Sequence, residues 1–408
     1  MDRQRVDQPM ETVRRHRPDY WLVVLAVFLV AIGLIVVYAI SPALMATSGG
    51  SGGHYVSRQL MAIGLSLVAF LVTARIPLRT WQRWQAPLLI VAAVGTFIAL
   101  VTPVVAQYPA HRWIRMGGLS LQSVEVLKFA LIIWLSSFLA ARAREGKLAN
   151  SKLTLQPLLI MLGAIGVVVA GIQSDLGSTG VIVAMMAAMA FVAGLPMRRV
   201  LTIAAIVAIG TVLAVSAIPY RRERLLTYLH PESNCLTTGY QACQALIAVG
   251  SGGVGGLGLG RSVQAYGYLP EAQNDSIFAI YAEKFGFIGV MVLLGLFGAL
   301  FARLRIIVER TPDMFSRLIV TGVLAWLSTQ MIINVGAMIG LLPLKGITLP
   351  LVSYGGTSVL FVGAALGLVF QVSHYTSFAA RSVRRDHRAE RGGAVRMREA
   401  PGAVRGRV

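Results

Sequence analysis

Long apolar runs separated by short polar breaks set the pattern of this chain. Runs near 21–43, 59–76, 86–105, 123–141, 155–172, 179–195, 200–218, 276–302, 315–338 and 356–377 each approach the roughly 20 apolar residues that a helix needs to cross a bilayer. They predict an all-α polytopic membrane protein with about ten transmembrane helices, spanning 21–377. The interval 219–274, between the seventh and eighth runs, is the largest segment outside the membrane, and Tyr240 to Val249 reads within it as a short amphipathic stretch. A loop of that length without a domain of its own is usually functional.

Composition agrees with the pattern. Only 13% of the 408 residues are charged and the mean hydropathy is +0.70, far from a soluble domain. The net charge of +20 raises the question of nucleic acid. However, the basic residues are spread over alternate loops rather than gathered on one face: Arg14, Arg15 and Arg17; Arg75, Arg79 and Arg83; Arg142, Arg144, Lys147 and Lys152; Arg198 and Arg199; Arg303, Arg305, Arg310 and Arg317. The positive-inside rule then puts both termini in the cytoplasm, with no nucleic-acid partner. The first run lacks a small-residue cleavage site and reads as a retained helix. Residues 1–20 form a cytoplasmic N-terminal segment. The Arg-, Gly- and Ala-rich stretch 378–408 reads as a disordered cytoplasmic tail.

Charges inside apolar runs are costly and face a cavity or a partner. Glu125 and Lys128 share a helical face; Asp175, in "QSDLGST", falls on the same outer side and is a candidate partner for Lys128. Such a buried pair either fixes packing or lines a substrate cavity. Glu271, Asp275 and Glu283 lie at the mouth and in the body of the eighth run, with Lys284 beside them. Arg58, Arg112, Arg115, Lys345 and the group Arg221, Arg222 and Arg224 also fall outside. Arginine forks suit phosphate oxygens, although each residue alone also reads as a headgroup contact.

The run "GSGGVGGLGLG" contains G-x-G-x-x-G at Gly250, Gly252 and Gly255. That signature needs a strand before it and a helix after it, and here membrane helices flank it, so the nucleotide reading fails. The glycines are expected to let the backbone turn and approach a bulky ligand. Cys235 and Cys243, both in the outer loop, read as a disulfide on an oxidising face, with two buried thiols as the alternative.

In order along the chain, "HRWIRMGGLSLQSVEVLKFA", "QSDLGSTGV", "GYQACQAL", "GSGGVGGLGLGRSVQAYGYLPEAQNDSIFAIYAEKFGFIG" and "NVGAMIGLLPLKGITLPLVSYGGTS" resemble the FtsW/RodA (SEDS) family of peptidoglycan polymerases, from the first run to about His374. Two departures are a missing proline, with Gln122, Ser123, Val124 and Glu125 where the family usually reads "QPSE", and Gln273 and Asn274 before Asp275 where "HT" is typical. "YLPEAQND" leans toward the division member of the family rather than the elongation member.

The resemblance implies a glycosyltransferase in the bacterial cytoplasmic (inner) membrane, at the division septum. In the family's reaction a hydroxyl of an incoming lipid II attacks the anomeric carbon of the undecaprenyl-linked glycan strand, expelling undecaprenyl pyrophosphate. Asp275 matches the family's essential aspartate and is expected to be the base, or the ligand of a divalent cation, magnesium or manganese; its bland role is a helix N-cap. Arg58, Arg112, Glu125, Lys128, Asp175, Glu271, Lys345 and Ser353 are the expected substrate-binding set. A class B penicillin-binding protein and other cell-division membrane proteins are the implied partners. A lipid II flippase working through the Lys128 and Asp175 charges, and a non-catalytic scaffold of cell-wall enzymes, are the competing function classes.

Overall fold

The computed structural model describes residues 17–48, 53–102, 111–116, 119–216, 235–237 and 239–376. The calls on residues 1–16, on Arg221, Arg222 and Arg224, and on the tail 378–408 lie outside the described residues.

A helix occupies each of the predicted apolar runs: α1 (Tyr20–Ser48), α2 (Gly53–Arg75), then a short α3 (Leu78–Arg83) before α4 (Gln85–Val101), α5 (Ser123–Arg144), α6 (Gln156–Ile165), α7 (Leu176–Ala193), α8 (Met197–Ser216), α10 (Ile277–Arg310), α11 (Met314–Met338) and α12 (Gly356–Ser373). Wider π-helical turns, Ser151–Leu155 and Gly166–Ile172, extend α6 at both ends. Eight helical segments among the described residues are long and apolar enough to cross a membrane, and Gln85–Val101 is a shorter apolar helix. The chain is a polytopic α-helical membrane protein.

The amphipathic stretch of the long loop is α9 (Tyr240–Ser251). Cys235 and Cys243 are joined in a disulfide, Cα to Cα 5.6 Å, which ties the segment before α9 to its first turn. A small hairpin precedes α5, unannounced by the apolar pattern: β1 (Trp113–Met116) pairs antiparallel with β2 (Leu119–Gln122), Trp113 opposite Gln122. Its fourfold alternation is too short to stand out among long apolar runs.

Helices α5, α7, α11 and α12 form the interior, and α5 and α12 are buried over most of their length. By contrast α1, α2, α4 and α6 carry exposed residues such as Phe28, Leu67, Phe97 and Ile160, the face a bilayer would cover. Close approach between α2 and α12 depends on glycine: a Cβ on Gly363 or Gly367 would meet Ser66 or Thr73 at 2.1 and 2.0 Å.

Helix α10 is broken at Gly286, φ 64°, ψ −165°. The glycine run fills the break. Leu257 and Gly258 donate backbone hydrogen bonds to the carbonyls of Glu283 and Lys284, at 2.9 and 3.0 Å, while Phe287 and Ile288 donate to Gly253 and Val254, at 2.9 and 3.1 Å. Glu283, buried, accepts from the Ser262 hydroxyl and from the N–H groups of Val263 and Gln264 at 2.9 and 3.2 Å, and Lys284 donates to the Leu259 carbonyl. Two of the glycines make this close approach possible: a Cβ on Gly252 or Gly256 would meet the Ala282 or Lys284 carbonyl oxygen of α10 at 2.1 and 2.2 Å. The same fastening removes Glu283 and Lys284 from any cavity, because both are stitching the loop to the helix.

Candidate active site

Asp275 sits immediately before α10, at the end of the bundle where the loop carrying α9 meets the helices. Three other segments converge there. The first is the 341–355 connection between α11 and α12, which packs on the start of α7; a Cβ on Gly177 would lie 2.5 Å from Ile347. The second is the strand approach carrying Arg112. The third is the end of the π-helical turn, Gln173 and Ser174.

Burial pushes the Asp275 carboxyl up to about 7, with the Glu271 charge adding to the rise and nearby hydrogen-bond donors, Gln241 among them, opposing it. Its Oδ1 is buried without a hydrogen-bond partner. Its backbone carbonyl accepts from Asn334 Nδ2 at 2.7 Å. The N-cap of α10 is Ser276, with no side-chain cap bond, so the bland capping role falls away from Asp275. The Ser276 hydroxyl instead donates to the Pro270 carbonyl at 2.9 Å and accepts from Gln241 at 3.1 Å.

Arg112 uses two of its donors on backbone: Nε to the Gln173 carbonyl at 2.9 Å and Nη2 to the Ser174 carbonyl at 2.6 Å. Its remaining nitrogen, Nη1, lies beside Gly346. A Cβ on Gly346 would lie 3.6 Å from Asp275 Oδ2 and 4.0 Å from Arg112 Nη1. Gly346, at φ +52°, therefore leaves open the space between acid and base. Lys345 lines the same narrow cleft as Asp275, Asn334 and Gly346.

The other predicted residues sit around this cleft in supporting positions. Ser353 is buried; its hydroxyl donates to the Asn274 carbonyl at 2.6 Å and accepts from Leu349 N–H at 2.7 Å, so it holds the residue before Asp275. Glu271 accepts from the Asn274 side chain. Arg58, exposed on α2, hydrogen-bonds Tyr354, whose N–H donates to the Gln273 carbonyl at 2.9 Å. Asp175 does not pair with Lys128. It caps α7, accepting from Ser178 N–H at 3.0 Å and Ser178 Oγ at 2.9 Å, because a carboxylate at a helix start satisfies free N–H groups locally. Lys128 is closed on Glu125 at 2.7 Å.

Two polar residues that the sequence did not single out organise the cleft. Gln330 Oε1 accepts from Lys128 at 2.9 Å and from Trp326 Nε1 at 2.7 Å, while its amide donates to the Thr348 carbonyl at 2.9 Å. One turn on, Asn334 donates to the Ile347 carbonyl at 2.6 Å as well as to Asp275. Their spacing of four on one helix face is the signal that would have found them. Backbone strain gathers in the converging segments too: among the described residues, the non-glycine ones with positive φ are Ser174, Glu271 and Leu351. Each such conformation costs on the order of 1–3 kcal/mol and persists where surroundings enforce it.

A family model described as "Cell cycle protein", covering FtsW, RodA and SpoVE, matches residues 20–378. The chain belongs to the FtsW/RodA/SpoVE (SEDS) family. It is 36% identical over 88% of its length to a probable peptidoglycan glycosyltransferase FtsW of Coxiella burnetii, covering 96% of that protein. It is 34% identical over 90% of its length to the whole of the stage V sporulation protein E of Bacillus subtilis. Among solved structures it resembles a chain of a peptidoglycan synthase complex that coordinates polymerization and crosslinking, TM-score 0.70 at 29% identity, covering 88% of this chain and 99% of that one. Rod shape determining protein RodA of Thermus thermophilus superposes with TM-score 0.63 at 28% identity, covering 87% and 96%.

Proposed function

We propose that this SEDS protein is a peptidoglycan glycosyltransferase that polymerises lipid II at the outer face of the bacterial inner membrane, with both termini cytoplasmic, in the division septum. The observation that carries the reading is Asp275, a buried carboxyl lining a narrow cleft with Lys345, with Arg112 beside Gly346 at its edge. A base works best when its pKa lies near the working pH, and about 7 meets that need. The Asp275 carboxylate takes the proton of the incoming sugar hydroxyl as its oxygen attacks the anomeric carbon of the glycan strand. The bond from that carbon to undecaprenyl pyrophosphate breaks, and Arg112 and Lys345 stabilise the leaving charge. Arg58, on the same rim, suits a more distant phosphate or headgroup contact.

A divalent cation, magnesium or manganese, would supply further charge to the pyrophosphate, and Asp275 offers it a hard oxygen. Among the described residues no group of three or more His, Cys, Asp or Glu is placed to hold a metal. The protein's share of such a shell is therefore small, as is usual for a magnesium that keeps several waters. The flippase reading draws less support, because the charges it would use are closed into the Glu125–Lys128 pair and the Asp175 cap. A class B penicillin-binding protein is the expected partner, and the likeness to a synthase complex supports it.

The test is polymerisation by the purified protein with its transpeptidase partner and labelled lipid II; an inserted, folded complex that forms no glycan strand would refute the proposal. Arg112 gives a graded arm of the same assay. Arg112→Lys retains the charge but cannot hold both the Gln173 and Ser174 carbonyls while facing Gly346, so activity should fall about tenfold. Arg112→Ala also removes a charge-assisted contact worth about 2–3 kcal/mol, a loss of about 30-fold to 150-fold. Arg142→Ala, whose side chain pairs with Glu145 at 3.1 Å, should stay near wild type.

A further inference from the structure

We infer that the apolar cavity between α6, α7 and α8 binds a chain of one anionic phospholipid, whose headgroup rests on Lys152, Arg198 and Arg199. The inference goes beyond the polymerase reading and does not depend on it. Helix α6 meets α7 mainly through the π-helical turn Gly166–Ile172. Its earlier turns stand off, and the gap is a cavity of about 50 Å³. Leu158 and Leu162 of α6, Val183 and Ala187 of α7, and Ile203 and Ala204 of α8 are among its walls, and every lining residue is apolar.

Cations gather at one end of this cavity. Arg199 Nη1 donates to the Ala149 carbonyl at 2.6 Å, and a Cβ on Gly194 would lie 3.6 Å from Leu148. The connection before α6 therefore touches the turn into α8, which brings Lys152, Arg198 and Arg199 to one rim. Among the described residues no acid pairs with any of the three. Glu145, the acid nearest to Lys152 in sequence, is taken by Arg142 and Lys147 at 3.1 and 3.2 Å.

The depths match a lipid. Leu158 and Leu162 follow Lys152 by six and ten residues, which at the helical rise places them about 9–15 Å beyond the rim. Ile203 and Ala204 follow Arg198 by five and six residues, or about 8–9 Å. One leaflet's hydrocarbon is about 15 Å deep, so a phosphate at the rim hangs its chain at the level of the cavity. An apolar cavity offers nothing to water, and left empty it forfeits the dispersion contacts that a chain would supply on three sides. The rim then selects the headgroup: each Lys or Arg near the membrane surface favours an anionic lipid by about fivefold, and a zwitterionic one has no net charge to offer.

The experiment is native mass spectrometry of the full chain, stripped of lipid in detergent and given phosphatidylglycerol or phosphatidylcholine with the same acyl chains. Wild type should hold one phosphatidylglycerol, preferred over phosphatidylcholine on the order of 100-fold by three cations. Lys152→Gln combined with Arg198→Gln should reduce that preference to about fivefold, the share of the remaining arginine. Ala204→Phe, which fills the cavity, should weaken both lipids about tenfold while keeping the preference, the effect of excluding one or two methylenes of the chain. Equal retention of the two lipids by wild type overturns the inference, as does a preference that the double variant leaves unchanged. Undiminished binding by a folded Ala204→Phe also overturns it, since the chain would then lie outside the cavity. Should Ala204→Phe not fold, the charge variant, altered only at exposed side chains, still decides.

Discussion

Asp275→Asn is expected to abolish glycan synthesis while making the protein more stable above neutral pH. The activity loss follows from chemistry: an amide cannot take a proton, and removing a general base costs about 10²-fold to 10⁴-fold. Stability moves the other way because the carboxyl is raised from 3.8 in the free chain to about 7 when folded. A group with a raised folded pKa binds its proton more tightly in the native state, so ionising it at higher pH favours unfolding. The penalty is absent below pH 3.8, grows between there and about 7, and is level above. That rise corresponds to about 4 kcal/mol, offset by about 1 kcal/mol for an amide left without partners. Melting in detergent should therefore show Asp275→Asn above wild type at pH 8, with the gap narrowing steadily to pH 5. A variant that melts below wild type at pH 8 would mean that the carboxylate is stabilised by a charge, as a bound cation would do.

The same residue shows where a single sequence is informative. Apolar runs report helices directly, since few other structures bury so many consecutive apolar residues in a bilayer, and Asp275 stood out as a charge at a helix mouth. The disulfide was also legible, from two cysteines on one side of the membrane. Partner assignments were not. Asp175 looked available to Lys128 because both lie at one end of the bundle, yet a carboxylate preceding a helix has free N–H groups within three residues, and that local offer was taken first. Gln330 and Asn334 passed unnoticed because one amide in an apolar helix costs little and is common. Only the folded arrangement shows that the two grip successive carbonyls, Thr348 and Ile347, and so fix the connection that carries Lys345 and Gly346 against Asp275.

The glycine run leads to the largest expected loss of stability. Gly286→Ala should destabilise the protein by at least about 3 kcal/mol. At φ 64°, ψ −165° the backbone is in a region that an L side chain rarely adopts. The new Cβ would also lie 2.3 Å from Gly256 N and 2.6 Å from the Val254 carbonyl oxygen. The Val254 carbonyl already accepts from Ile288 N–H and Gly256 N–H already donates to the Gly252 carbonyl, so moving either loosens the loop that fills the break in α10. Once the loop lifts, Glu283 loses the donors at 262–264 and becomes an unpaired charge in a buried site, which adds to the cost. Gly295→Ala is the matched control on the same helix. Nothing lies within 4 Å of its Cβ position, and alanine favours a helix by roughly 0.5–1 kcal/mol over glycine, so it should melt at or slightly above wild type. Equal melting of the Gly286 and Gly295 variants would show that the loop is not fastened to α10. Because Asp275 enters α10 directly below this fastening, the surviving folded fraction of Gly286→Ala should also polymerise poorly, linking a backbone contact to the position of the base.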